Sequence, residues 1–234
     1  MTIQLTRKEM TALLYSLKGE SKQPPLLIIE KAINFTSPSD INIPAFLIKA
    51  SKRRNLQEFG LSTNEIVSLA NLCELTSLKS TSIQNWIKRD VKELIGPPEL
   101  GKKYSIDQAA MLLIVKDLKY VFDFEKIRKV LTVVFNTLSD RSDDLISPIM
   151  FYEMYGTILE KLEKLPLRGQ TLEQQIVEEV NAIPKKFSEL TESQWKTIER
   201  ILVTTVLAVI ASHLQTRAQV YLNESSINHE GHVY

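Results

Sequence analysis

The sequence predicts a mostly α-helical protein, built around a winged helix-turn-helix with helical segments on both sides. Three observations predict this fold class. Apolar residues recur at helical spacing through most of the 234 residues. Ser or Thr followed three residues later by Glu or Gln marks several helix starts. A short Pro/Gly-rich segment, which begins at Gly96, separates helical stretches in the middle of the chain.

The central segment, residues 61–138, begins with a predicted helix, a tight turn and a second helix. Ser62 and Glu65 form a capping box, so the first helix is predicted to begin near Thr63 and to end around residues 74–77. Ser80 is predicted to cap the second helix. The apolar face of the second helix consists of Ile83, Trp86, Ile87 and Val91. Its polar face consists of Thr81, Ser82, Gln84, Asn85, Lys88 and Arg89.

This polar face has the side chains that a DNA recognition helix needs. Amides and hydroxyls can hydrogen-bond base edges, and basic side chains can bind phosphates. The predicted DNA contacts in this helix are Thr81, Gln84, Asn85, Lys88 and Arg89. The alternative interpretation is an ordinary solvated helix face.

The Pro/Gly-rich segment after the second helix is predicted to turn back on itself as a wing. Pro97 and Pro98 fix a bend, and Gly101 permits a chain reversal. Lys102 and Lys103 follow directly, and both are predicted to contact the DNA backbone. For these lysines too, a solvated surface is the alternative.

Two further helices complete the central segment. Ser105 and Gln108 form the capping box of one helix, and Asp123 can cap the other. The apolar residues of the second of these helices keep helical spacing up to Leu138.

Four stretches of the central segment resemble the winged helix-turn-helix of MerR-type regulators. They are residues 69–78, 82–86, 101–105 and 123–131. The whole chain is also similar to an uncharacterised bacterial family, domain of unknown function 1836. The MerR-type resemblance implies sequence-specific binding of double-stranded DNA in transcriptional control. The second helix would then lie in the major groove and the wing on the backbone.

A protein-interaction module that kept the winged-helix fold but lost its DNA contacts is the alternative function. Departures from the MerR-type pattern favour it: Ser77 replaces the usual turn glycine, and arginines are absent at Gln84 and at the wing exit. The local charge favours DNA binding, because residues 79–103 hold six Lys/Arg and three Asp/Glu, a net charge of +3.

The N-terminal segment, residues 1–60, is predicted to be helical. Thr6 and Glu9 form a capping box before an amphipathic helix. Residues 26–29 are apolar and fit either a strand or a helix. A helix over residues 43–51 is predicted to end in a basic cluster, which is either a phosphate-binding arm or a solvated helix end. The cluster is Lys49, Lys52, Arg53 and Arg54.

The C-terminal segment, residues 139–222, follows a polar connector at 139–147 and is predicted to hold three helices. The first begins at Pro148 and ends near Leu165. Capping boxes at Thr171 and at Thr191 begin the second and third, and the second ends at Pro184. Residues 223–234 are predicted to be a flexible tail.

The third C-terminal helix is predicted to form a homodimer interface. Residues 201–216 are 16 residues without formal charge, fewer than the roughly 20 that a membrane span needs. No membrane association is therefore expected, and the helix is interpreted as buried within the domain or between subunits. The N-terminal segment folding over this helix is the alternative. A small-molecule or protein effector is expected at the same C-terminal helices.

Composition and motifs argue against an enzyme. The three histidines all lie at residue 213 or later, and no Gly-x-Ser-x-Gly motif or phosphate-binding glycine loop is present. No cofactor and no metal site are therefore expected.

One cysteine, Cys73, fits a reducing cytosol, and no basic-then-apolar signal segment begins the sequence, so a cytoplasmic location is expected. Residues 1–143 carry a net charge of +5 and residues 144–234 a net charge of −4.

Three further residues are interpreted as structural. Trp86 shares a face with Ile83, which predicts core packing rather than a stacking platform for bases. Cys73 is expected to be a buried packing residue rather than a redox switch. His213 is expected to be a satisfied interior histidine rather than a ligand sensor.

Overall fold

Helices form most of the described chain. The computed structural model describes residues 3–33, 42–53, 55, 57–135, 141–164, 169–183 and 190–227. These ranges contain eleven α-helices and no β-strand, so the mostly α-helical prediction is confirmed. The helices are α1 (Arg7–Lys18), α2 (Pro25–Ala32), α3 (Ala45–Ser51), α4 (Thr63–Ala70), α5 (Ser80–Asn85), α6 (Lys92–Ile95), α7 (Ile106–Lys119), α8 (Phe124–Thr132), α9 (Pro148–Lys164), α10 (Leu172–Asn181) and α11 (Glu192–Ile227).

Local side-chain caps fix most helix starts where the sequence predicted them. At the starts of α1, α4, α7 and α10, a Ser or Thr side chain accepts a hydrogen bond from the backbone N–H three residues later. The Glu or Gln at that later position accepts one in turn from the backbone N–H of the Ser or Thr. Asp123 caps α8. The N–H of Gln194 donates to Thr191 Oγ1 over 3.2 Å at the start of α11. These starts depend on residues three positions apart, so the sequence alone specifies them.

Helix α4 ends earlier than predicted, at Ala70 instead of near residues 74–77. The Asn71 amide donates to the carbonyl of Leu78 over 3.0 Å and accepts from the N–H of Leu78 over 2.7 Å. The N–H of Leu5 donates to the carbonyl of Leu72 over 2.6 Å, and the N–H of Glu74 donates to the carbonyl of Leu5 over 2.9 Å. These nonlocal bonds compete with further helical turns, and the turn contains a left-handed residue, Leu75, with φ 51°.

The start of α5 also differs from the prediction. Lys79 occupies the cap position and Ser80 is the first helical residue, so the predicted Ser80 cap is wrong. The helix continues from α5 into a π-helical turn at Trp86–Asp90. The wider π turn shifts the register of the residues that follow, and Val91 closes it by donating its N–H to the carbonyl of Trp86 over 2.8 Å.

Four other boundaries are settled. Residues 26–29 belong to helix α2, and the helix predicted over 43–51 begins at Ala45. Helix α8 ends at Thr132, before the predicted end at Leu138. Four residues that were predicted as helix ends or as part of the basic cluster lie outside the described residues: Leu138, Leu165, Pro184 and Arg54. Residues 223–227 continue α11, and the rest of the predicted tail lies outside the described residues.

Buried apolar side chains from Ile3 to Val209 form one hydrophobic cluster. Helix α1 packs against α9, α7 packs against α9, and α11 packs against α7, α9 and α10. Gly156 in α9 permits a close approach of α1, since a Cβ there would lie 3.1 Å from the Cβ of Arg7. The predicted division into four segments stays a prediction, but three of the segments contribute to this common core.

Helix α11 is long and apolar enough, over Glu192–Glu224, to cross a membrane by length and composition alone. It is the one helix of this kind within the described ranges. The core helices of soluble proteins meet the same criteria of length and composition. Side chains of α11 such as Leu202, Val206 and Val209 are fully buried against the rest of the protein.

Candidate nucleic-acid interface

Helix α5 and its π-helical continuation have one buried face and one exposed face. Ile83 and Val91 are fully buried, and they fix the orientation of the helix against the core. Trp86 is half-buried and meets the ring of Phe124 edge-on, with ring centroids 5.7 Å apart. The predicted packing role of Trp86 is therefore accompanied by partial exposure.

The polar residues predicted as DNA contacts share the exposed face of this helix. Thr81, Gln84, Asn85, Lys88 and Arg89 are all exposed. Among the residues that the structure describes, none of these five side chains forms a hydrogen bond or an ion pair. Two amides, one hydroxyl and two cations therefore lie together on this face without hydrogen bonds or ion pairs to other described residues.

A tight chain reversal at residues 100–103 lies beside the start of α4. Leu100 and Lys103 exchange two backbone hydrogen bonds, of 2.9 and 3.1 Å, around Gly101, whose φ is 70°. Leu61 and Tyr104 exchange two more, of 2.9 and 2.8 Å. Each pairing involves a single residue on each side, which is too short for a strand. The segment is therefore a minimal hairpin rather than a two-stranded wing.

The two lysines of this hairpin have different surroundings. Lys103 Nζ lies 3.1 Å from Glu65 Oε2 and 5.2 Å from the centroid of the Phe59 ring. Glu65 is also the acceptor in the α4 capping box, and although burial raises its pKa, these hydrogen bonds lower it overall. Lys102 is exposed and forms no ion pair with any described residue. Of the two hairpin lysines predicted to contact DNA, Lys103 is therefore ion-paired within the protein, and Lys102 has no ion pair with a described residue.

Gln108 holds the Pro/Gly-rich segment in place. Its side chain is fully buried, and its Nε2 donates to the carbonyls of Ile95 and Pro97, each over 2.7 Å. Its Oε1 accepts from the backbone N–H of Ser105 over 3.0 Å and of Glu99 over 3.3 Å. The sequence predicted Gln108 only as a capping residue, because the other partners are set by tertiary structure.

A buried charge cluster lies behind the turn that precedes α5. Arg7 donates to both carboxylate oxygens of Asp117, from Nε and from Nη2, each over 2.9 Å. Lys116 Nζ lies 2.6 Å from Asp117 Oδ1 and donates to Thr76 Oγ1 over 2.7 Å. Burial raises the pKa of Asp117, but the Arg7 and Lys116 cations lower it by more, so it lies well below its ordinary value. The cluster joins α1, α7 and the turn before α5.

His213 of α11 reaches the same cluster. Its Nε2 lies 2.9 Å from Arg7 Nη1. Because a guanidinium can only donate, Nε2 is the acceptor and the imidazole is neutral. Burial, followed by the Arg7 cation, lowers the pKa of His213 to about 4. His213 is half-buried and hydrogen-bonded within the protein, so the predicted hydrogen bond is present although the side chain is not fully interior.

Cys73 is buried, with its Sγ 3.8 Å from the hydroxyl of Tyr152. Burial raises the pKa of the Cys73 thiol, which disfavours the reactive thiolate. Its predicted position within the first helix of the central segment is wrong, since it follows the end of α4. Within the described ranges, no three His, Cys, Asp or Glu side chains are grouped as metal ligands would be.

Comparison with known proteins identifies relatives of this chain. The family model described as "Domain of unknown function (DUF1836)" matches residues 51–155. The chain is 50% identical over 221 residues to "Uncharacterized protein YkrK" of Bacillus subtilis (strain 168), which covers 92% of this chain and 95% of the relative. No solved structure matches the chain. The residues matched by the family model include α4, α5, the hairpin and α7.

Proposed function

The chain belongs to the DUF1836 family, and from the geometry of its matched region we propose that it is a DNA-binding transcriptional regulator with a MerR-like winged helix-turn-helix. In this proposal α4 and α5 are the helix-turn-helix, residues 96–104 are a shortened wing, and α7 and α8 complete the unit. The protein acts without catalysis, and its location is the cytoplasm.

The observation that carries the proposal is the exposed face of α5 and the π turn. Opposite charges on a solvated helix face can pair at spacings of three or four residues. This face instead places Gln84 and Asn85 next to Lys88 and Arg89, with no acidic partner for either cation among the described residues. Amides that can contact base edges beside cations that can bind phosphates are the composition of a recognition helix.

The position of the hairpin supports the same function. The Leu61–Tyr104 pairing places residues 100–103 next to the start of α4, and Gly60 allows this, since a Cβ there would lie 2.8 Å from the Cβ of Lys103. Lys102 then extends from the hairpin as an exposed cation. A phosphate beside the groove occupied by α5 is the partner we propose for it.

Homodimerisation through α11 is the second part of the proposal. Five of its less buried apolar residues recur at spacings of four, three, four and seven, which approximates the heptad pattern of a helix-pairing seam. We call this the α11 seam; it consists of Val203, Leu207, Ile210, Leu214 and Tyr221. Leu214 and Tyr221 are 61% and 74% exposed. Pairing with a second copy would bury them and would place two recognition helices on two half-sites.

An interaction module without DNA binding is the second candidate function. The observation that favours it is the contact of Lys103 with Glu65 and Phe59, which occupies one of the two wing cations within the protein. An effector bound to the C-terminal helices remains a prediction under either function.

Selection of bound fragments from genomic DNA tests the proposal. We expect the full-length protein to enrich a defined sequence at moderate salt. A variant with Gln84, Asn85, Lys88 and Arg89 all changed to Ala should enrich none. The matched control changes Gln4, Asn181, Lys22 and Lys31 to Ala, which removes the same numbers of amides and cations from exposed positions elsewhere. Equal enrichment by the wild type and the first variant would contradict DNA binding through α5 and favour the interaction module.

A further inference from the structure

A cleft lies between the turn that precedes α5 and the C-terminal end of α7. We call it the turn cleft; it is lined by Thr76, Ser77, Leu78, Lys79 and Ser82 on one side, and by Trp86 and the end of α7 on the other. Its volume is about 420 Å³, within the range of roughly 300–1,000 Å³ that is usual for small-molecule sites. The proposed DNA contacts of α5 and the hairpin do not line it.

The turn cleft has a strongly cationic lining. Lys79, Lys116 and Lys119 line it, and no Asp or Glu does. The charge of Lys116 is compensated by Asp117, whose Oδ1 lies 2.6 Å from Nζ. Lys79 and Lys119 have no carboxylate within ion-pair distance among the described residues. The lining therefore carries an excess of two positive charges.

Lys116 also contributes a hydrogen-bond donor that is held in place. Its side chain is 6% exposed, and its ammonium group has three N–H donors. Two of these meet Asp117 Oδ1 and Thr76 Oγ1, and the third has no acceptor among the described residues. Because Lys116 lines the cleft, this N–H can donate to an acceptor bound there.

The walls of the turn cleft add aromatic surface and hydroxyl groups. Trp86 is half-buried and held edge-on by Phe124, and Tyr120 is 45% exposed at the end of α7. Lys119 Nζ is positioned 4.6 Å from the centroid of the Phe124 ring. Flat rings pack well against such side chains. Ser77 and Ser82 supply two further donors for an anion.

We propose that the turn cleft binds a small phosphate monoester that carries a flat ring, the chemistry of a nucleoside monophosphate. A phosphate monoester carries a charge of about −1.5 to −2 at pH 7, which matches the two uncompensated lysines. A phosphodiester of the DNA backbone carries one charge and exposes no free ring. The inference rests on the cleft alone and does not depend on DNA binding by α5.

Fluorescence of Trp86 in the full-length protein tests the proposal. Trp195→Phe leaves Trp86 as the one tryptophan, and the probes are adenosine 5′-monophosphate, adenosine and inorganic phosphate. We expect the monophosphate to change the fluorescence saturably and inorganic phosphate to compete with it. Adenosine should bind about tenfold more weakly, or worse, because it lacks the charge-assisted bonds.

Two variants and a control localise the site. Lys79→Gln with Lys119→Gln should weaken binding of the monophosphate about tenfold. The control, Lys31→Gln with Lys92→Gln, removes two exposed cations elsewhere and should bind as the parent does. Tyr120→Ala should weaken the monophosphate and leave inorganic phosphate unchanged. Thermal midpoints verify that each variant is folded.

Three results would overturn the proposal. They are the absence of a saturable fluorescence change, equal binding of adenosine and its monophosphate, and equal effects of the cleft and control variants. If the protein does not bind the monophosphate and the cleft variant loses affinity for duplex DNA, the two lysines contact the DNA backbone instead.

Discussion

Arg7 and Asp117 lie 110 residues apart in the chain and form a buried ion pair with two hydrogen bonds of 2.9 Å. Both side chains are almost completely buried, and Tyr155 donates a further hydrogen bond to Asp117 Oδ2 over 2.9 Å. Because Lys116 links the same carboxylate to Thr76, the pair connects the N-terminal helix to the turn before α5.

We expect Asp117→Asn to lower the free energy of unfolding by about 3–5 kcal/mol, since it leaves buried cations without their counterion. The control is Glu160→Gln, which removes a carboxylate that pairs with the exposed Lys8 and Lys164. Its cost should be about 1 kcal/mol or less. Urea unfolding of both variants measures the difference. Equal losses would show that the buried Arg7–Asp117 pair contributes no more to stability than an exposed ion pair does.

His213 should make stability depend on pH between about 6.5 and 4. The folded protein holds its pKa at about 4, below the ordinary value of 6.5, through burial and the Arg7 cation. Lys116 and Arg217 lower it further and Asp117 opposes them. The unfolded chain therefore takes up a proton first as the pH falls, and the stabilisation that is complete above pH 6.5 is lost towards pH 4.

Urea unfolding at pH 7.5 and at pH 5 tests this dependence. His213→Gln keeps a group that can accept from Arg7 and removes the titration. We expect the wild type to lose more stability between the two pH values than this variant does. If both lost the same amount, His213 would not be the group responsible.

The four side chains on the exposed face of α5 should divide into two roles. Gln84→Ala or Asn85→Ala should relax sequence preference at a cost of about 1–3 kcal/mol, as for a base contact. Lys88→Ala and Arg89→Ala should weaken binding to every sequence and reduce the salt dependence. Anisotropy titrations with selected and scrambled duplexes, at several salt concentrations, separate the two. Uniform effects of all four changes would contradict base recognition by the amides.

Lys102 and Lys103 should differ when their charges are reversed. Lys102→Glu should weaken DNA binding strongly at moderate salt and leave the thermal midpoint unchanged, since the side chain is exposed. Lys103→Glu should also lower the thermal midpoint, because it opposes Glu65 and loses its contact with the Phe59 ring. A large loss of stability in Lys102→Glu would mean that the hairpin is structural and the wing assignment wrong.

The α11 seam should make the protein a dimer at micromolar concentration. Leu214→Lys with Tyr221→Lys should give a folded monomer, as measured by light scattering. The control, Gln215→Lys with Gln219→Lys, adds the same charge to exposed positions of α11 outside the seam. A monomeric wild type would refute the dimer.

The sequence alone determined the features that depend on neighbouring residues. The starts of α1, α4, α7, α8 and α10 follow from side chains and N–H groups three residues apart. The division of α5 into two faces follows from helical periodicity, and the exposed face contains the five residues that the sequence singled out there. Local geometry suffices in these cases because both partners lie within one helical turn.

Tertiary structure decided the features whose partners are far apart in the chain. Helix α4 ends at Ala70 because Leu5 and Leu78 compete for the backbone and side-chain bonds that follow it. The partners of Lys103, the Arg7–Asp117 pair and the three lysines of the turn cleft come together only when distant helices pack. A sequence pattern specifies which faces are apolar, but it does not specify which faces meet, and those contacts set the burial and charge of each site.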